Sequence, residues 1–228
     1  YGHNFNGVND RITIFDPSTL SFSSVNESYL ELTGFHNIEN FRELGIEGLS
    51  ATEDGYTAER GKELIQAVAR SGEPKTTEWK LAPPDEEESW IEVTLATAEI
   101  GGEQRVLSIQ RDITERKRRE REFEQIFNGV TDVIGIYDPQ TAELVDVNDT
   151  MCELLGYDRD TIIDMDPEEV TATALGFDAD TIGEVVRDVA KSGDPVRDIE
   201  WALRTASGDV VWLEVNANLT EIGGEQRV

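Results

Sequence analysis

The chain has 228 residues, with 48 acidic and 20 basic side chains and a formal net charge of −28. Such a field repels nucleic acid and anionic membrane surfaces, so we expect neither nucleic-acid binding nor direct membrane contact. The sequence contains no apolar run of the roughly 18 to 20 residues that cross a bilayer, and no signal peptide. A single cysteine fits a reducing compartment, and we predict a cytoplasmic location.

A repeat with an offset of 122 residues divides the chain into two copies. EIGGEQRV occurs at 99–106 and again at 221–228, and FNGVNDRITIFDPST aligns with FNGVTDVIGIYDPQT. Solenoid units run to roughly 20 to 50 residues, so a period this long indicates tandem domains. We predict a first domain at 1–114, a connector helix at 115–127 and a second domain at 128–228. The second copy stops where the first continues as LSIQRDI, which predicts a truncated last strand and a fragment of a longer protein.

In chain order, each copy begins with a predicted hairpin and a short helix. In the second copy, two β-rich runs at 133–137 and 143–147 flank the turn sequence DPQT. Asn148 then suits a helix N-cap, and Gly156 suits the end of that helix. A longer amphipathic helix at 178–192 follows and stops at Ser-Gly-Asp-Pro.

The pattern in the last third of each copy predicts antiparallel strands. In the second copy, two runs at 196–205 and 210–219 flank ASGD, and a Gly-Gly turn leads into a final strand. Alternation places Leu213 and Val215 on one face of the second run and Trp212 on the other. The order predicts an α+β domain in which helices cover one face of a five-stranded antiparallel sheet.

Between the copies, ERKRREREFEQIF predicts a charged helix. Its basic residues alternate with acids three or four positions away, which indicates intrahelical ion pairs rather than a nucleic-acid site. A weak apolar seam makes a homodimer through this helix one hypothesis. Trp90 and Trp212, predicted on the sheet face away from the core, could cover such a helix, a partner subunit or a flanking helix of their own domain.

Together these motifs resemble the PAS sensory domains, across both copies. The resemblance rests on the Asp-Pro hairpin, the Val-Asn helix start, Ser-Gly-acid-Pro, the WIEV and WLEV runs, and Asp112-Ile113-Thr114 before the charged helix. It implies a pocket between the sheet and the long helix, and a signal-transfer junction at Asp112, Ile113 and Thr114. The acid-rich, lysine-poor composition is similar to that of proteins from salt-loving archaea. The implied parent is a haloarchaeal multi-domain protein: a sensor histidine kinase, a transducer or a bacterio-opsin-activator-like protein.

Apolar residues that should face between sheet and helix form the candidate ligand pocket, although ordinary core packing explains the same residues. In the second copy they are Ile134, Ile136, Leu155, Val185, Val189, Leu203, Leu213 and Val215. In the first copy they are Ile12, Ile14, Leu64, Val68, Leu81, Ile91 and Val93.

Reactive centres and resident cofactors find no support in the sequence. The only histidines, His3 and His36, lie outside the long helix that would supply a haem ligand. Cys152 lacks the flavin-adduct motif, and we interpret it as a small buried apolar residue. No catalytic triad, phosphate loop or metal-ligand spacing is present.

We therefore predict a non-catalytic sensory fragment without a resident cofactor. It would couple a small-molecule or partner stimulus, through the connector helix, to an output domain in the same parent chain. Two alternatives stay open: a dimerisation scaffold that binds no ligand, and a sensor of light or redox state that holds flavin non-covalently.

Overall fold

The computed structural model describes residues 10–32, 38–83, 87–178 and 180–228. The chain divides into two compact units, residues 1–120 and residues 121–228. Among the described residues, no helix combines the length and the apolar character needed to span a membrane.

The first unit is built on a five-stranded antiparallel sheet with the strand order β2-β1-β5-β4-β3. The strands are β1 (Arg11–Asp16), β2 (Ser21–Val25), β3 (Lys75–Leu81), β4 (Ser89–Ile100) and β5 (Glu103–Asp112). The predicted Gly101-Gly102 turn joins β4 to β5, and both glycines adopt the positive φ that a tight hairpin turn requires. The prediction of an α+β fold with such a sheet is confirmed.

Helices of the first unit pack on one face of this sheet. They are α1 (Glu27–Leu32), α2 (Ile38–Leu49), a 3-10 turn (Thr52–Asp54) and α3 (Ala58–Ser71). Thr57 caps α3 by accepting a hydrogen bond from the backbone N–H of Arg60, and Gly72 ends the helix with φ of +73°. Ile65 and Val68 of α3 face the sheet and are buried with Trp79 and Val106 in one apolar core.

A long helix, α4 (Thr114–Gly129), follows β5 directly. It starts in the first unit and ends in the second, since the division between the units falls after Glu120. Its surface is charged, and Phe127 is its only buried residue. The Glu115 and Arg119 side chains form one of the predicted intrahelical ion pairs.

The second unit repeats the element order, with the counterpart of β4 divided into two strands. The strands are β6 (Gly135–Tyr137), β7 (Leu144–Val147), β8 (Val196–Arg204), β9 (Val210–Ala217), β10 (Thr220–Ile222) and β11 (Glu225–Arg227). The helices are α5 (Asp149–Leu155), α6 (Arg159–Asp164), α7 (Pro167–Val170), a 3-10 turn (Thr173–Leu175) and α8 (Asp180–Ser192). As predicted, Asn148 caps α5 and Gly156 ends it in a left-handed conformation.

Strand pairing in the second unit preserves the register of the first. Tyr137 and Val228 exchange backbone hydrogen bonds of 2.8 and 3.1 Å, which connects β6 to the end of β11. The equivalent residues 122 positions earlier, Phe15 and Val106, face each other in the first sheet. The repeat in the sequence is therefore also a repeat in the pairing register, although the described strands of the second unit form three two-stranded sheets, β6–β7, β8–β9 and β10–β11, and not the predicted five-stranded sheet.

A β-bulge in β8 accounts for one of the two changes of offset in the repeat, the return from 121 to 122 residues. The offset between copies is 121 residues at Ser-Gly-acid-Pro and 122 at the following Glu-Trp, so β8 holds one extra residue. The β8–β9 register shifts between Val196 and Ile199, and Asp198 within this interval has φ of +59°. The additional residue is absorbed at Asp198, in the left-handed region that glycine adopts without steric cost.

We expect Asp198→Gly to stabilise the second domain by about 0.5–1 kcal/mol, because glycine removes the steric cost of the left-handed conformation. The matched control is Gly208→Ala in the next turn, where φ is +89° and the change should destabilise the domain by a similar amount. Hydrogen exchange of the β8 and β9 amides measures both effects. Slower exchange in Gly208→Ala, or faster exchange in Asp198→Gly, would contradict this interpretation of the bulge.

Candidate functional site

A cavity of about 70 Å³ lies in the first domain between the sheet and the helices. Its wall is mainly apolar and includes Ile65 from α3, Trp79 and Leu81 from β3, and Ile91 and Val93 from β4. Trp79 is held in place by a hydrogen bond of 2.9 Å from its indole Nε1 to the Ser50 hydroxyl. The cavity therefore has fixed aromatic and aliphatic walls.

One side of this cavity is polar. Ser108 and Gln110 of β5 and Tyr29 of α1 line it, and all three side chains are buried. The Gln110 amide Nε2 donates to the Ser108 hydroxyl over 3.1 Å. Burial raises the pKa of Tyr29 to about 12, against a smaller lowering effect of its hydrogen bond with Gln110. The tyrosine is therefore a neutral phenol at physiological pH.

The inner face of β1 differs from the sequence prediction. Arg11, Thr13 and Phe15 are buried on that face, so Ile12 and Ile14, which alternate with them, face away from the core. The assignment of Ile12 and Ile14 to the pocket was wrong, because the prediction used apolar character alone to decide which residues of β1 face the core. Of the residues predicted for the first copy, Leu64, Leu81, Ile91 and Val93 do line the cavity.

The residues proposed for a second pocket do not all meet in the second domain. Leu155, Leu203, Leu213 and Val215 belong to one apolar cluster with Trp201. Ile136 and Val189 are buried outside that cluster, and Ile134 and Val185 are half-buried. Packing of the core explains the cluster, as the sequence already allowed.

The three junction residues make different contacts at the start of α4. The Asp112 carboxylate accepts from the backbone N–H of Thr114 over 2.8 Å and pairs with the Arg11 guanidinium at the same distance. Ile113 is buried, and its N–H donates to the Trp90 carbonyl over 2.9 Å. The Thr114 hydroxyl accepts from the Trp90 N–H over 2.9 Å. The end of β5 and the first turn of α4 are thereby bonded to β4.

Beyond the first turn, α4 contacts the outer side of the first sheet through charged groups. Glu78 of β3 accepts from Arg116 at 3.0 Å and from Lys117 at 2.8 Å, and the Lys117 ammonium lies 5.5 Å from the Trp90 ring centre. The hydrogen bond from Lys117 lowers the pKa of Glu78, and the bond to Glu78 raises the pKa of Lys117. Trp90 thus covers the charged helix, which was one of the predicted alternatives for this residue.

The equivalent face of the second domain is more exposed in the part of the chain that the structure describes. Trp212, the counterpart of Trp90, is 61% exposed and contacts the Phe177 ring edge-to-face at 5.5 Å. Alternation along β9 follows the prediction, with Leu213 and Val215 more buried than their neighbours.

The last turn of α4 is bonded to the second domain. The Phe127 carbonyl accepts from the Asn148 side chain over 3.2 Å, and the Asn128 side chain accepts from the Asp149 N–H over 3.1 Å. Arg159 of α6 donates to both Asn128 and Asp149, at 3.1 and 2.9 Å. Arg159 also donates to Asp146 of β7 over 3.2 Å. Sequence reasoning missed Arg159, because its partners lie on three separate elements.

Cys152 is half-buried against the core of the second domain, and burial raises the pKa of its thiol. Within the described ranges, no group of three or more His, Cys, Asp or Glu side chains is arranged to hold a metal ion. The two histidines lie outside the described residues.

Family comparisons identify both copies. Residues 10–115 match a family model described as a PAS domain, and residues 144–228 match a second model described as a PAS fold. The chain therefore contains two PAS domains, which are sensor domains.

Several proteins are similar to parts of this chain in sequence or structure. A methyl sulfide methyltransferase-associated sensor from Methanosarcina acetivorans is 27% identical over 112 residues, which cover 49% of this chain and 11% of that protein. A PAS domain from Colwellia psychrerythraea is 22% identical, with a TM-score of 0.41 over 50% of this chain and 94% of that one. A PAS domain of an HTR-like protein from Haloarcula marismortui is also 22% identical, with a TM-score of 0.38 over 48% of this chain and 85% of that one.

Proposed function

We propose that this chain is a non-catalytic sensory part of a larger signal-transduction protein. The first PAS domain receives a small-molecule or partner stimulus, and helix α4 carries the resulting change toward the second domain and an output domain. The sensor from Methanosarcina acetivorans, of which this chain matches 11%, supports membership of a larger signalling protein. The net charge of −28 supports a haloarchaeal parent, in which molar salt screens the self-repulsion.

The observation that carries this proposal is the bonding at both ends of α4. Its first turns are fixed to the first domain through Asp112, Thr114 and Glu78. Its last turn is fixed within the second unit through Asn148, the residue that also caps α5. A change at the first junction therefore acts on an element that is hydrogen-bonded to the start of the next domain.

Features of the first domain favour a sensor over a scaffold that binds nothing. A scaffold requires a filled core, whereas this domain holds a cavity with polar groups on its wall. The volume favours a small ligand over a flavin, because cofactor pockets occupy about 300–1,000 Å³. A homodimer paired through the exposed part of α4 remains compatible with this role, since Ile126 on that helix is 69% exposed.

Glu78→Gln tests the coupling, because it removes both ion pairs to α4 while preserving the size of the side chain. Exposed ion pairs contribute about 0.2–1 kcal/mol each, so the loss of both should accelerate exchange of the amides at the start of α4 by about two- to thirtyfold. If α4 transmits the change, the backbone amides of Asn128 and Asp149 should also shift in the NMR spectrum. Glu78 has a lowered pKa, so the wild-type contribution should persist at neutral pH and disappear as the pH falls through that lowered value.

The control for this experiment, Arg119→Pro, interrupts α4 between its bonded first turns and its bonded last turn. In an Arg119→Pro background, Glu78→Gln should affect only the first domain, because proline removes a helical hydrogen bond and clashes with the preceding turn. Arg119→Ala loses the same ion pair to Glu115 but preserves the helix, so transmission should survive. Shifts confined to the first domain in the chain with an intact helix would overturn the proposed coupling.

A further inference from the structure

Four polar side chains form a patch on the inner face of β1 and β5, where a sheet that covers a core is normally apolar. Arg11 lies directly opposite Gln110, and Thr13 lies directly opposite Ser108. All four are buried, with Thr13 and Ser108 almost fully so. Side chains in such opposite positions lie about 4.5–5.5 Å apart at Cβ, so the four form one contiguous group.

Several polar atoms of this patch lack a protein partner. Among the described residues, Arg11 Nη1, Thr13 Oγ1 and Gln110 Oε1 are buried and make no hydrogen bond. Natural proteins rarely leave such groups unsatisfied, because each one costs about 1–3 kcal/mol when buried. Gln110 lines the cavity, so its free oxygen is available to a molecule inside.

The cavity limits the size of that molecule. Its volume of about 70 Å³ is roughly half that of a cavity that admits benzene, so the ligand has fewer non-hydrogen atoms than the six of benzene. The remaining walls, which include Phe15, Leu49 and Leu95, are apolar. A short hydrocarbon group would contact them, while a polar group faces Gln110.

The charges of Arg11 and Asp112 indicate that the polar group of the ligand is neutral. The Arg11 guanidinium is only 7% exposed, and the Asp112 carboxylate at 2.8 Å already balances its charge. A second carboxylate beside this pair would be buried without a counter-ion, which is unfavourable. A carboxamide presents a donor and an acceptor side by side, so it satisfies the Gln110 amide in either orientation of that amide.

The second domain does not repeat three of the polar residues near this cavity, Arg11, Thr13 and Tyr29. At the offset of 122 residues, Arg11 corresponds to Val133, Thr13 to Gly135 and Tyr29 to Met151. The repeat therefore preserves the fold of the domain but not the polar side chains that β1 and α1 contribute in the first domain. A ligand that depends on this polar environment is assigned to the first domain.

We infer that the cavity of the first domain binds a small neutral carboxamide, with Gln110 as its hydrogen-bond partner. This inference rests on the proposed sensory function and extends it, because Arg11 also holds Asp112, whose carboxylate caps α4. Gln110, the partner of the ligand, lies directly opposite Arg11 in the sheet, and Arg11 positions the junction through Asp112. Occupancy of the cavity is thereby connected to the first turn of the helix.

The test is an NMR titration of the full chain with three probes of equal size in high salt. Propanamide should bind saturably and shift the amides of Ser108, Gln110, Ile113 and Thr114. 2-Butanone, which lacks the N–H donor, and propanoate, which is charged, should each bind at least about tenfold more weakly. Saturable binding of propanamide by Gln110→Leu should also weaken about tenfold, whereas Gln104→Leu, on the same strand outside the cavity, should bind normally.

Absence of saturable propanamide binding would overturn the inference, as would equal binding of 2-butanone. The first result would mean that internal waters, or Arg11 and Gln110 themselves, satisfy the patch. The probe comparison uses the wild-type chain, so it stays decisive if Gln110→Leu does not fold. Transmission through α4 is measured separately with Glu78→Gln, so failure of the ligand assignment and failure of the sensory function are distinguishable.

Discussion

Asp112→Ala is expected to lower the free energy of unfolding of the first domain by about 2–3 kcal/mol. The substitution leaves the Arg11 charge buried without its counter-ion and removes the cap from the Thr114 N–H. Removing one partner of a fully buried pair costs about 3–5 kcal/mol. We expect less here because the Asp112 side chain is 48% exposed and solvent can replace part of the interaction.

Hydrogen exchange of the β1 and β5 amides measures this loss for the first domain alone, which a whole-chain melting curve cannot do. The matched control is Glu103→Ala, which removes another acid of β5 that pairs with an arginine, Arg105, but at the surface. That control should change stability by less than about 1 kcal/mol. Equal effects of the two substitutions would show that the contribution of Asp112 to stability does not depend on the burial of Arg11.

The pH dependence of the stability difference between wild type and Asp112→Ala provides a second measurement. Burial acts to raise the pKa of Asp112, but the hydrogen bonds from Thr114 and the charge of Arg11 outweigh it and lower the pKa. A lowered pKa means that the stabilisation is present above the ordinary carboxyl value of about 4 and is lost as the pH falls through the folded-state value. The stability difference between wild type and Asp112→Ala should therefore shrink on acidification.

The elements that sequence reasoning predicted well are those with local signals. The Asn148 cap, the Gly156 helix end and the Gly101-Gly102 turn each follow from the chemistry of one or two residues, and all three are present. The offset of the repeat was visible as well. Its change from 121 to 122 residues did not reveal where the chain absorbs the additional residue, because the bulge at Asp198 depends on pairing with β9.

The polar wall of the cavity could not be predicted in the same way. In RITIFD, Ile12 and Ile14 suggest that the even-numbered residues face the core, whereas Phe15 suggests that the odd-numbered residues do. The alternation is therefore ambiguous. The structure instead buries Arg11 and Thr13, which lie opposite Gln110 and Ser108 of a strand 95 to 99 residues later in the chain. Hydrophobic patterns cannot detect a face whose polar groups satisfy one another or a ligand.

Asn148→Ala is expected to destabilise the second domain by about 3–4 kcal/mol, the largest effect that we predict for a single polar side chain. Asn148 is fully buried, and its side chain makes four hydrogen bonds. The oxygen accepts from the N–H groups of Ile134 and Met151, and the nitrogen donates to the carbonyls of Phe127 and Asp132. Alanine leaves these groups without their partner, in addition to the loss of the α5 cap.

A contrast with Asn216→Ala isolates the role of burial, because Asn216 is exposed and accepts a single bond from the Asp198 N–H. That substitution should cost less than about 1 kcal/mol. Hydrogen exchange of the α5 amides reports the stability of the second domain, and exchange near Phe127 reports whether the last turn of α4 is released with it. If Asn148→Ala costs no more than Asn216→Ala, the asparagine is only a helix cap. A large loss with faster exchange at Phe127 identifies it as the residue that binds the connecting helix to the second PAS domain.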